Sequence, residues 1–306
     1  MKKFLNKILE SKNIELNKIQ VGKKNTTYLC STDNGVYVIK FLTPQFLLKR
    51  TNVERFNQIY EILDRLNAMD NTFLSPLKND RIKSVNRFGE KYFSVFKFID
   101  NDNVKAVNTL QIQEMAKVLC QFHNLTKDLV ADIQCDFEKY FKELFKNKKY
   151  RNFLCDYYTE YKNINPPLHN CLIHGDYAIN NILFKDNSIK ALIDFDYMSK
   201  GSVEEELIRS CRNFSSHQDK REFLQSYFKN CKLHLNITQD TIKKFIIKDY
   251  LNEVCVYYFQ SKSKIKNKKQ FKLLLKNSIK ELDNINNLIF EIWEIIKDEN
   301  VICGCW

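Results

Sequence analysis

Three polar residues near the middle of the chain have the types and the spacing that phosphoryl transfer requires. Asp176 lies in the segment His174-Gly175-Asp176, Asn181 follows five positions later, and Asp194 comes after a further strand-length of residues. Transfer of a γ-phosphoryl group needs a carboxylate near the incoming hydroxyl, and magnesium prefers amide and carboxylate oxygens as ligands. The pattern predicts Asp176 as the catalytic base and Asn181 and Asp194 as ligands of Mg²⁺.

A short hairpin is predicted to hold these groups. Two apolar runs, 181–184 and 190–193, flank the polar linker 185–188, a pattern typical of paired strands joined by a turn. Because polar groups stand at the end of each run, the hairpin would deliver them to one side. The alternative is that Asp176 and Asn181 only form turns and that Asp194 only ends a strand.

The same residues carry a resemblance to a known family. His174-Gly-Asp176, Asn181-Ile-Leu and Ile193-Asp194-Phe-Asp196-Tyr197 together resemble the motifs of the aminoglycoside phosphotransferase and choline kinase superfamily, the kinase-like small-molecule phosphotransferases. Protein kinases share the Asp-to-Asn spacing but have Arg in place of Gly175 and Asp-Phe-Gly in place of Asp194-Phe-Asp196. The resemblance implies ATP or GTP as phosphate donor, Mg²⁺ as metal cofactor and a small hydroxyl compound as acceptor.

The resemblance also assigns nucleotide-binding residues in the first part of the chain. Gly22 and Asn25, in Gly-Lys-Lys-Asn-Thr-Thr-Tyr28, are similar to the family's short phosphate-facing hairpin. Lys40 ends the strand-like segment Val36-Tyr-Val-Ile-Lys40, from which such folds send a lysine to the α- and β-phosphates. Taken alone, Gly22 is equally an ordinary turn residue.

Two further assignments follow from the same likeness. A glutamate on the next helix is expected to pair with Lys40; Glu54 is the choice because it lies in the first half of that helix, and Glu61 is the competitor. Phe96 and Phe98 stand where the interlobe hinge of the family binds the purine. The hinge residues are also compatible with a plain strand.

The acceptor side is less defined. Asp196, two residues after Asp194 and followed by Tyr, is similar to the pattern of choline and ethanolamine kinases and of homoserine-kinase-like members. Glu206 matches an acid that many family members place at this point, where it could brace the loop. The acidic run around it would attract a cationic acceptor, or it is only a set of acids favoured at a helix N-terminus. The aromatic segment 257–259 is either a wall for such an acceptor or part of the core. His123 and His174 are expected to have structural roles, with His174 orienting the loop.

The elements that must position these residues indicate two lobes. Strands are expected over 18–29, 36–42, 81–86 and 91–99, with one helix over 52–69, followed by helices over 109–123, 137–161, 205–214, 219–228, 241–259 and 272–296. This order predicts an α+β, bilobal, protein-kinase-like fold, with a small antiparallel β-sheet lobe carrying one helix and a large, mainly α-helical lobe. The predicted boundary divides a nucleotide-binding lobe, 1–98, from a catalytic and acceptor-binding lobe, 99–306.

Composition agrees with a folded protein and narrows its partners. Only 6 Gly and 4 Pro occur in 306 residues, which disfavours sandwiches and barrels with their many tight turns. The net charge of +12 suggests an anionic partner, for which a nucleotide suffices, and we expect neither nucleic acid nor a membrane span. The ten cysteines lack the paired spacing of a zinc site, and a reduced, cytoplasmic location is expected. A catalytically inactive nucleotide-binding scaffold and a basic RNA- or membrane-binding protein are the alternatives.

Overall fold

The computed structural model describes residues 1–19, 26–42, 52–129, 133, 137–262 and 268–303. The chain forms two compact units, Met1–Val104 with Asn180–Asp196 and Lys105–Ile179 with Tyr197–Trp306. Our sequence-based boundary divides the chain at residue 98, whereas in the structure the segment Asn180–Asp196 groups with the N-terminal residues. We call these the N-terminal unit and the C-terminal unit.

The described residues of the N-terminal unit form a five-stranded sheet, two α-helices and a hairpin. Its elements are α1 (Lys2–Ile8), β1 (Ile14–Ile19), β2 (Thr27–Thr32), β3 (Gly35–Phe41), α2 (Val53–Met69), β4 (Asn86–Phe88), β5 (Lys91–Lys97), β7 (Ile182–Lys185) and β8 (Ser188–Leu192). The sheet is antiparallel in the order β1-β2-β3-β5-β4. Helix α1 contributes Leu5, Ile8 and Leu9 to a core shared with Ile39 and Phe93 of the sheet.

Hairpin β7–β8 is anchored within this unit through backbone hydrogen bonds. Leu192 N–H donates to the carbonyl of Thr72 at 2.7 Å, and Asp102 N–H donates to the carbonyl of Phe184 at 2.7 Å. The turn residues Asp186 and Asn187 both have positive φ, 50° and 65°. Asp and Asn are the non-glycine residues that best tolerate this backbone region, so the residues between the apolar runs suit a tight reversal.

The C-terminal unit is mainly helical. Its elements are α3 (Thr109–Thr126), α4 (Phe137–Leu144), α5 (Lys148–Asn163), β6 (Asn170–Ile173), β9 (Ser199–Ser202), α6 (Val203–Cys211), α7 (His217–Asn230), α8 (Gln239–Lys262), α9 (Lys268–Leu282) and α10 (Ile285–Cys303). Strands β6 and β9 pair antiparallel. Helix α8 packs against α4, α5, α6, α9 and α10, and α3 packs against α7. Among the described helices, none has both the length and the apolar character needed to cross a bilayer.

The α+β class, with an antiparallel sheet and a large helical part, confirms the prediction, but several element boundaries were wrong. The strand expected over 18–29 is two strands, since β1 and β2 pair antiparallel with Ile19 opposite Thr27. Residues 81–86 are mostly irregular because the Asn79 side chain accepts the N–H groups of Arg81 and Ile82, which takes these donors away from a strand ladder.

Two helices predicted as continuous are each divided. The segment 137–161 breaks between α4 and α5, where Asn147 caps the new helix by accepting the N–H of Lys149. The segment 272–296 breaks between α9 and α10 at Asp283-Asn284, residues that favour turns. The apolar periodicity continues across both breaks, which is why the pattern alone indicated single helices.

Candidate functional site

In the N-terminal unit, the open end of hairpin β7–β8 brings Asn181 and Asp194 close to each other. Asn181 ends a single 3₁₀ turn immediately before β7, and Asp194 follows β8 by two residues. Ile193 N–H donates to the carbonyl of Asn181 at 2.9 Å, which closes the hairpin at this end. Asn181 is buried, 9% exposed. The prediction that both residues stand at one end of a hairpin is thus met by the backbone geometry.

Lys40 forms a short ion pair with two carboxylates at this end. Its Nζ donates to Asp194 Oδ1 at 2.7 Å and to Asp196 Oδ1 at 2.6 Å. Burial alone would lower the pKa of Lys40, but the carboxylates of Asp196 and Asp194 raise it above its ordinary value. Lys40 is therefore a fixed cation beside two acids. Asp194 itself has φ 64°, a left-handed conformation that is uncommon outside glycine.

The partner that we predicted for Lys40 is not the one found in the structure. Glu54 and Glu61 are both exposed on α2, and within the described ranges no ion pair joins either of them to Lys40. Helix α2 reaches this region through Arg55 instead, whose Nη2 donates to the carbonyl of Asp196 at 3.4 Å. The apolar face of α2 points inward. Arg55 lies on the side of the helix that faces the hairpin, and Glu54 does not.

The remaining nucleotide assignments have different outcomes. Phe96 lies in β5 with its ring against Tyr60, at 6.2 Å between centroids, so its side chain is a packing residue. Phe98 N–H donates to the carbonyl of Val36 at 3.1 Å, so in this conformation that N–H does not face a purine. Gly22 and Asn25 lie outside the described residues.

The hairpin end has the donor set that a magnesium ion takes. Asn181 supplies an amide oxygen and Asp194 and Asp196 supply carboxylates, all hard oxygen ligands of the kind that Mg²⁺ shares with phosphate groups. Among the described residues, no group of three or more His, Cys, Asp or Glu side chains suits a metal ion. In nucleotide sites Mg²⁺ is usually held by one or two carboxylates together with substrate phosphates, and the hairpin end offers oxygen ligands of that kind.

In the C-terminal unit, the segment His174-Gly175-Asp176 follows β6 and is held by a buried carboxylate. Glu206 of α6, which is 0% exposed, accepts the N–H of His174 at Oε2 (2.8 Å) and the N–H of Gly175 at Oε1 (2.7 Å). His174 Nδ1 in turn accepts the N–H of Asp176 at 3.2 Å. The role expected for Glu206 as a brace of the loop, and for His174 as a loop-orienting residue, matches these contacts.

A chain of buried side chains extends from Glu206 to Tyr227 of α7. His123 Nε2 lies 3.2 Å from Glu206 Oε2 and its Nδ1 lies 2.7 Å from the hydroxyl of Tyr227. Since the carboxylate only accepts, His123 donates from Nε2. Burial alone would raise the pKa of Glu206, but the hydrogen bond from His123, the histidine charges and the Gly175 N–H hold it below its ordinary value.

Gly175 is required by the shape of this loop. It has φ 78°, and a Cβ at this position would overlap the carbonyl group of Tyr197, with the carbonyl carbon at 3.0 Å. Side chains other than hydrogen therefore do not fit here. The Gly that distinguishes this chain from the protein-kinase pattern has a steric reason.

Sequence reasoning missed an arginine network that reaches the same loop. Arg209 Nη1 donates to the carbonyl of Gly175 at 2.8 Å and its Nε donates to Asp249 Oδ1 at 2.7 Å. Arg212 bonds the other oxygen of Asp249 and covers the ring of Tyr250 at 4.0 Å. The available signal was Asp249 itself, a charged residue on a helix face otherwise marked by apolar residues three and four positions earlier.

The aromatic segment 257–259 lies half-buried on α8. Tyr257 stacks on Phe271, with 6.5 Å between centroids and 26° between ring planes. Burial, Glu253, Asp249 and Asp176 together raise the pKa of Tyr257, with Arg212 opposing them.

Comparison with known proteins gives the family and the fold. The model of a family described as phosphotransferase enzyme family matches residues 15–230, whereas no curated protein sequence matches the chain. Spectinomycin phosphotransferase APH(9)-Ia, solved with ADP and spectinomycin, has a TM-score of 0.61 at 16% identity, with 93% of each chain covered. Choline kinase LicA from Streptococcus pneumoniae has a TM-score of 0.64 at 16% identity, covering 92% of this chain and 97% of that one.

An ethanolamine kinase from Plasmodium vivax is similar to a comparable degree, with a TM-score of 0.59 at 16% identity over 88% of this chain and 83% of that chain. At these identities the likeness establishes the kinase-like fold. The family model covers well over half of the 306 residues, including the loop 174–176 and the hairpin end. The chain therefore belongs to the phosphotransferase enzyme family.

Proposed function

We propose that this protein is a small-molecule kinase that transfers the γ-phosphate of ATP, or of GTP, to a hydroxyl group. The observation that carries the proposal is the Lys40 ammonium held at 2.7 Å from Asp194 and 2.6 Å from Asp196. A cation that is only 13% exposed and is held between two acids is costly to maintain for stability alone. It suits a site where phosphate oxygens bind a lysine and a metal ion beside it.

The residue roles follow from this arrangement and from the family. Lys40 would bind phosphate oxygens of the nucleotide, and Asn181 and Asp194 would hold Mg²⁺. When bound, the metal neutralises charge on the transferred phosphoryl group and bridges phosphate oxygens. Asp176 would orient the acceptor hydroxyl and take its proton, on a loop whose backbone is fixed by Glu206.

The acceptor is proposed to be an amino alcohol, a sugar or an aminoglycoside-like compound. Three proteins that share the fold are named as a choline kinase, an ethanolamine kinase and a spectinomycin phosphotransferase. Choline, ethanolamine and spectinomycin each contain a hydroxyl group and a nitrogen that is positively charged at neutral pH. The half-buried ring of Tyr257 would suit a cationic group. We further propose that the protein works in the cytoplasm, where nucleotide and Mg²⁺ are supplied.

The donor side is tested first by nucleotide binding. Mg-ATP and Mg-GTP should raise the unfolding temperature of the wild type, since a ligand at 100 times its Kd stabilises by about 2.7 kcal/mol. Asp194→Asn should abolish most of this shift. Asp186→Asn, on the exposed turn of the same hairpin, is the matched control and should keep it. Absence of any shift with either nucleotide would contradict the proposed function.

The acceptor side is tested by ADP release over a panel of hydroxyl compounds. Choline, ethanolamine, homoserine, hexosamines and spectinomycin-like aminocyclitols would be added to Mg-ATP, and one class should raise the rate above basal hydrolysis. Asp176→Asn should lose that stimulation and keep the thermal shift with Mg-ATP. Full activity in this variant would overturn the assignment of Asp176 as base.

A further inference from the structure

The peptide group that joins Gly175 to Asp176 has both of its polar atoms fixed. Its carbonyl oxygen accepts from Arg209 Nη1 at 2.8 Å, and its N–H donates to His174 Nδ1 at 3.2 Å. The preceding peptide N–H, of Gly175, is held by Glu206. The plane of this peptide sets the direction in which the Asp176 side chain leaves the backbone, so the groups that hold it also aim the carboxylate.

Arg209 is itself held from a second helix. Its Nε donates to Asp249 Oδ1 at 2.7 Å, and the other carboxylate oxygen of Asp249 bonds Arg212. Arg212 continues to Glu253 Oε1 at 2.9 Å, and Glu253 Oε2 accepts from Ser278 at 2.7 Å. The guanidinium of Arg209 therefore has its orientation fixed by α8 while one of its N–H groups is directed at the loop.

A purely structural role would not need this geometry. A single carbonyl oxygen is satisfied by one donor of any kind, including water. A guanidinium bonded through Nε to a buried carboxylate presents its Nη in a fixed direction, which the flexible ammonium of lysine does not do. Burial alone would raise the pKa of Asp249, but Arg209 and Arg212 hold it below its ordinary value, so the anion that orients Arg209 persists at neutral pH.

We infer that Arg209, held in place by Asp249, is a positioning residue that aims the Asp176 carboxylate at the acceptor hydroxyl. The inference rests on the proposed function, in which Asp176 is the base. Since a displacement of about 1 Å at a reacting group costs on the order of 100-fold in rate, Arg209→Lys should lower kcat by about 10- to 100-fold. The KM for Mg-ATP should change by less than about twofold, because Arg209 acts through the loop.

The matched control is Arg212→Lys. Both variants keep the positive charge and both lose one guanidinium contact with Asp249, but only Arg209 touches the loop. The control should keep kcat within about threefold of the wild type, measured as ADP release from Mg-ATP with water and with the best acceptor of the panel. Guanidinium ion at non-denaturing concentration should partly restore the rate of Arg209→Ala and should not change that of Asp176→Asn.

Amide hydrogen exchange gives a readout that does not depend on turnover. Exchange over residues 170–178 should rise about tenfold or more in Arg209→Lys, the factor expected when a hydrogen bond to a charged group is lost, and stay near wild type in Arg212→Lys. Equal exchange and equal kcat in the two variants would overturn the positioning role. An active Asp176→Asn would instead overturn the proposed base, and an inactive Asp176→Asn beside a fully active Arg209→Lys would reject only the positioning role.

Discussion

Replacing Glu206 by Gln tests how much of the loop's stability depends on one buried charge. The carboxylate accepts three hydrogen bonds, from His174 N–H, Gly175 N–H and His123 Nε2, and is 0% exposed. Glutamine keeps the shape but has one acceptor oxygen, and its NH₂ group would face a backbone N–H whichever way it is turned. One or two donors are then left without a partner, depending on which way the amide is turned, and the remaining bonds lose their charge.

The expected cost follows from these contacts. Hydrogen bonds to a charged group contribute about 1.5–3 kcal/mol and those to a neutral group about 0.5–1.5, while a buried unsatisfied donor costs about 1–3 kcal/mol. The sum gives a loss of about 3–5 kcal/mol in the free energy of unfolding, in the range found when a buried charge loses its partner. At about 2–4 °C per kcal/mol for a unit of this size, the unfolding temperature should fall by about 10 °C.

Differential scanning calorimetry at pH 7 is the assay, with Glu281→Gln as control because Glu281 is exposed on α9. That control should stay within about 0.5 kcal/mol of the wild type. If Glu206→Gln unfolds within 2 °C of Glu281→Gln, the reasoning that the loop depends on a buried carboxylate is refuted.

The same variant predicts a pH dependence. The ordinary pKa of a glutamate is near 4.5, and the pKa of Glu206 in the folded protein lies below it. The charge therefore contributes its full stability above the ordinary pKa, and this contribution is lost as pH falls through the folded pKa. The stability difference between wild type and Glu206→Gln should therefore be constant from pH 6 to 7 and shrink below about pH 4.5. A difference that grows on acidification would contradict the sign.

Two other stability predictions use pairs of variants. Gly175→Ala should lower the free energy of unfolding in denaturant by at least about 3 kcal/mol, because the new Cβ meets the carbonyl of Tyr197. Gly89→Ala, at a similar φ of 61° but in open space, should lower it by only about 1–2 kcal/mol. Equal costs would show that the steric argument is wrong. Glu291→Gln should cost about 3 kcal/mol, because it leaves the buried ammonium of Lys220 without the carboxylate that lies 2.9 and 3.0 Å away. Adding Lys220→Met should recover most of that loss, and a double variant no more stable than the single one would refute it.

The hairpin end was predictable because its signals are local. The apolar runs on either side of 185–188 specify two short strands, and Asp186 and Asn187 are residue types that accept the positive φ of the turn. Asn181 and Asp194 are then placed by counting residues along two strands. No contact from elsewhere in the chain is needed to fix their position at one end of the hairpin.

The partners of Lys40 were not predictable in this way. Glu54 is the expected partner because it lies in the first half of the helix that follows the strand of Lys40, but neighbouring positions on a helix point about 100° apart. The apolar spacing fixes which face of α2 is buried and leaves the direction of its polar side chains to the surrounding structure. The carboxylates that do bind Lys40 are 154 and 156 residues away, a separation for which a local pattern carries no information.

The arginine network shows what kind of sequence signal marks such long-range contacts. Asp249 lies on α8 three and four positions after Ile246 and Phe245, both buried, so it stands on the apolar face of the helix. A carboxylate on that face is stable only with a buried cation nearby, so its presence predicts a partner without identifying it. Arg209, on a helix that also carries Glu206, satisfies Asp249 and reaches the carbonyl of Gly175. The acid on the apolar face of α8 therefore indicates from sequence alone that a buried cation lies nearby. Only the three-dimensional structure identifies that cation as Arg209 and shows that it bonds the loop 174–176.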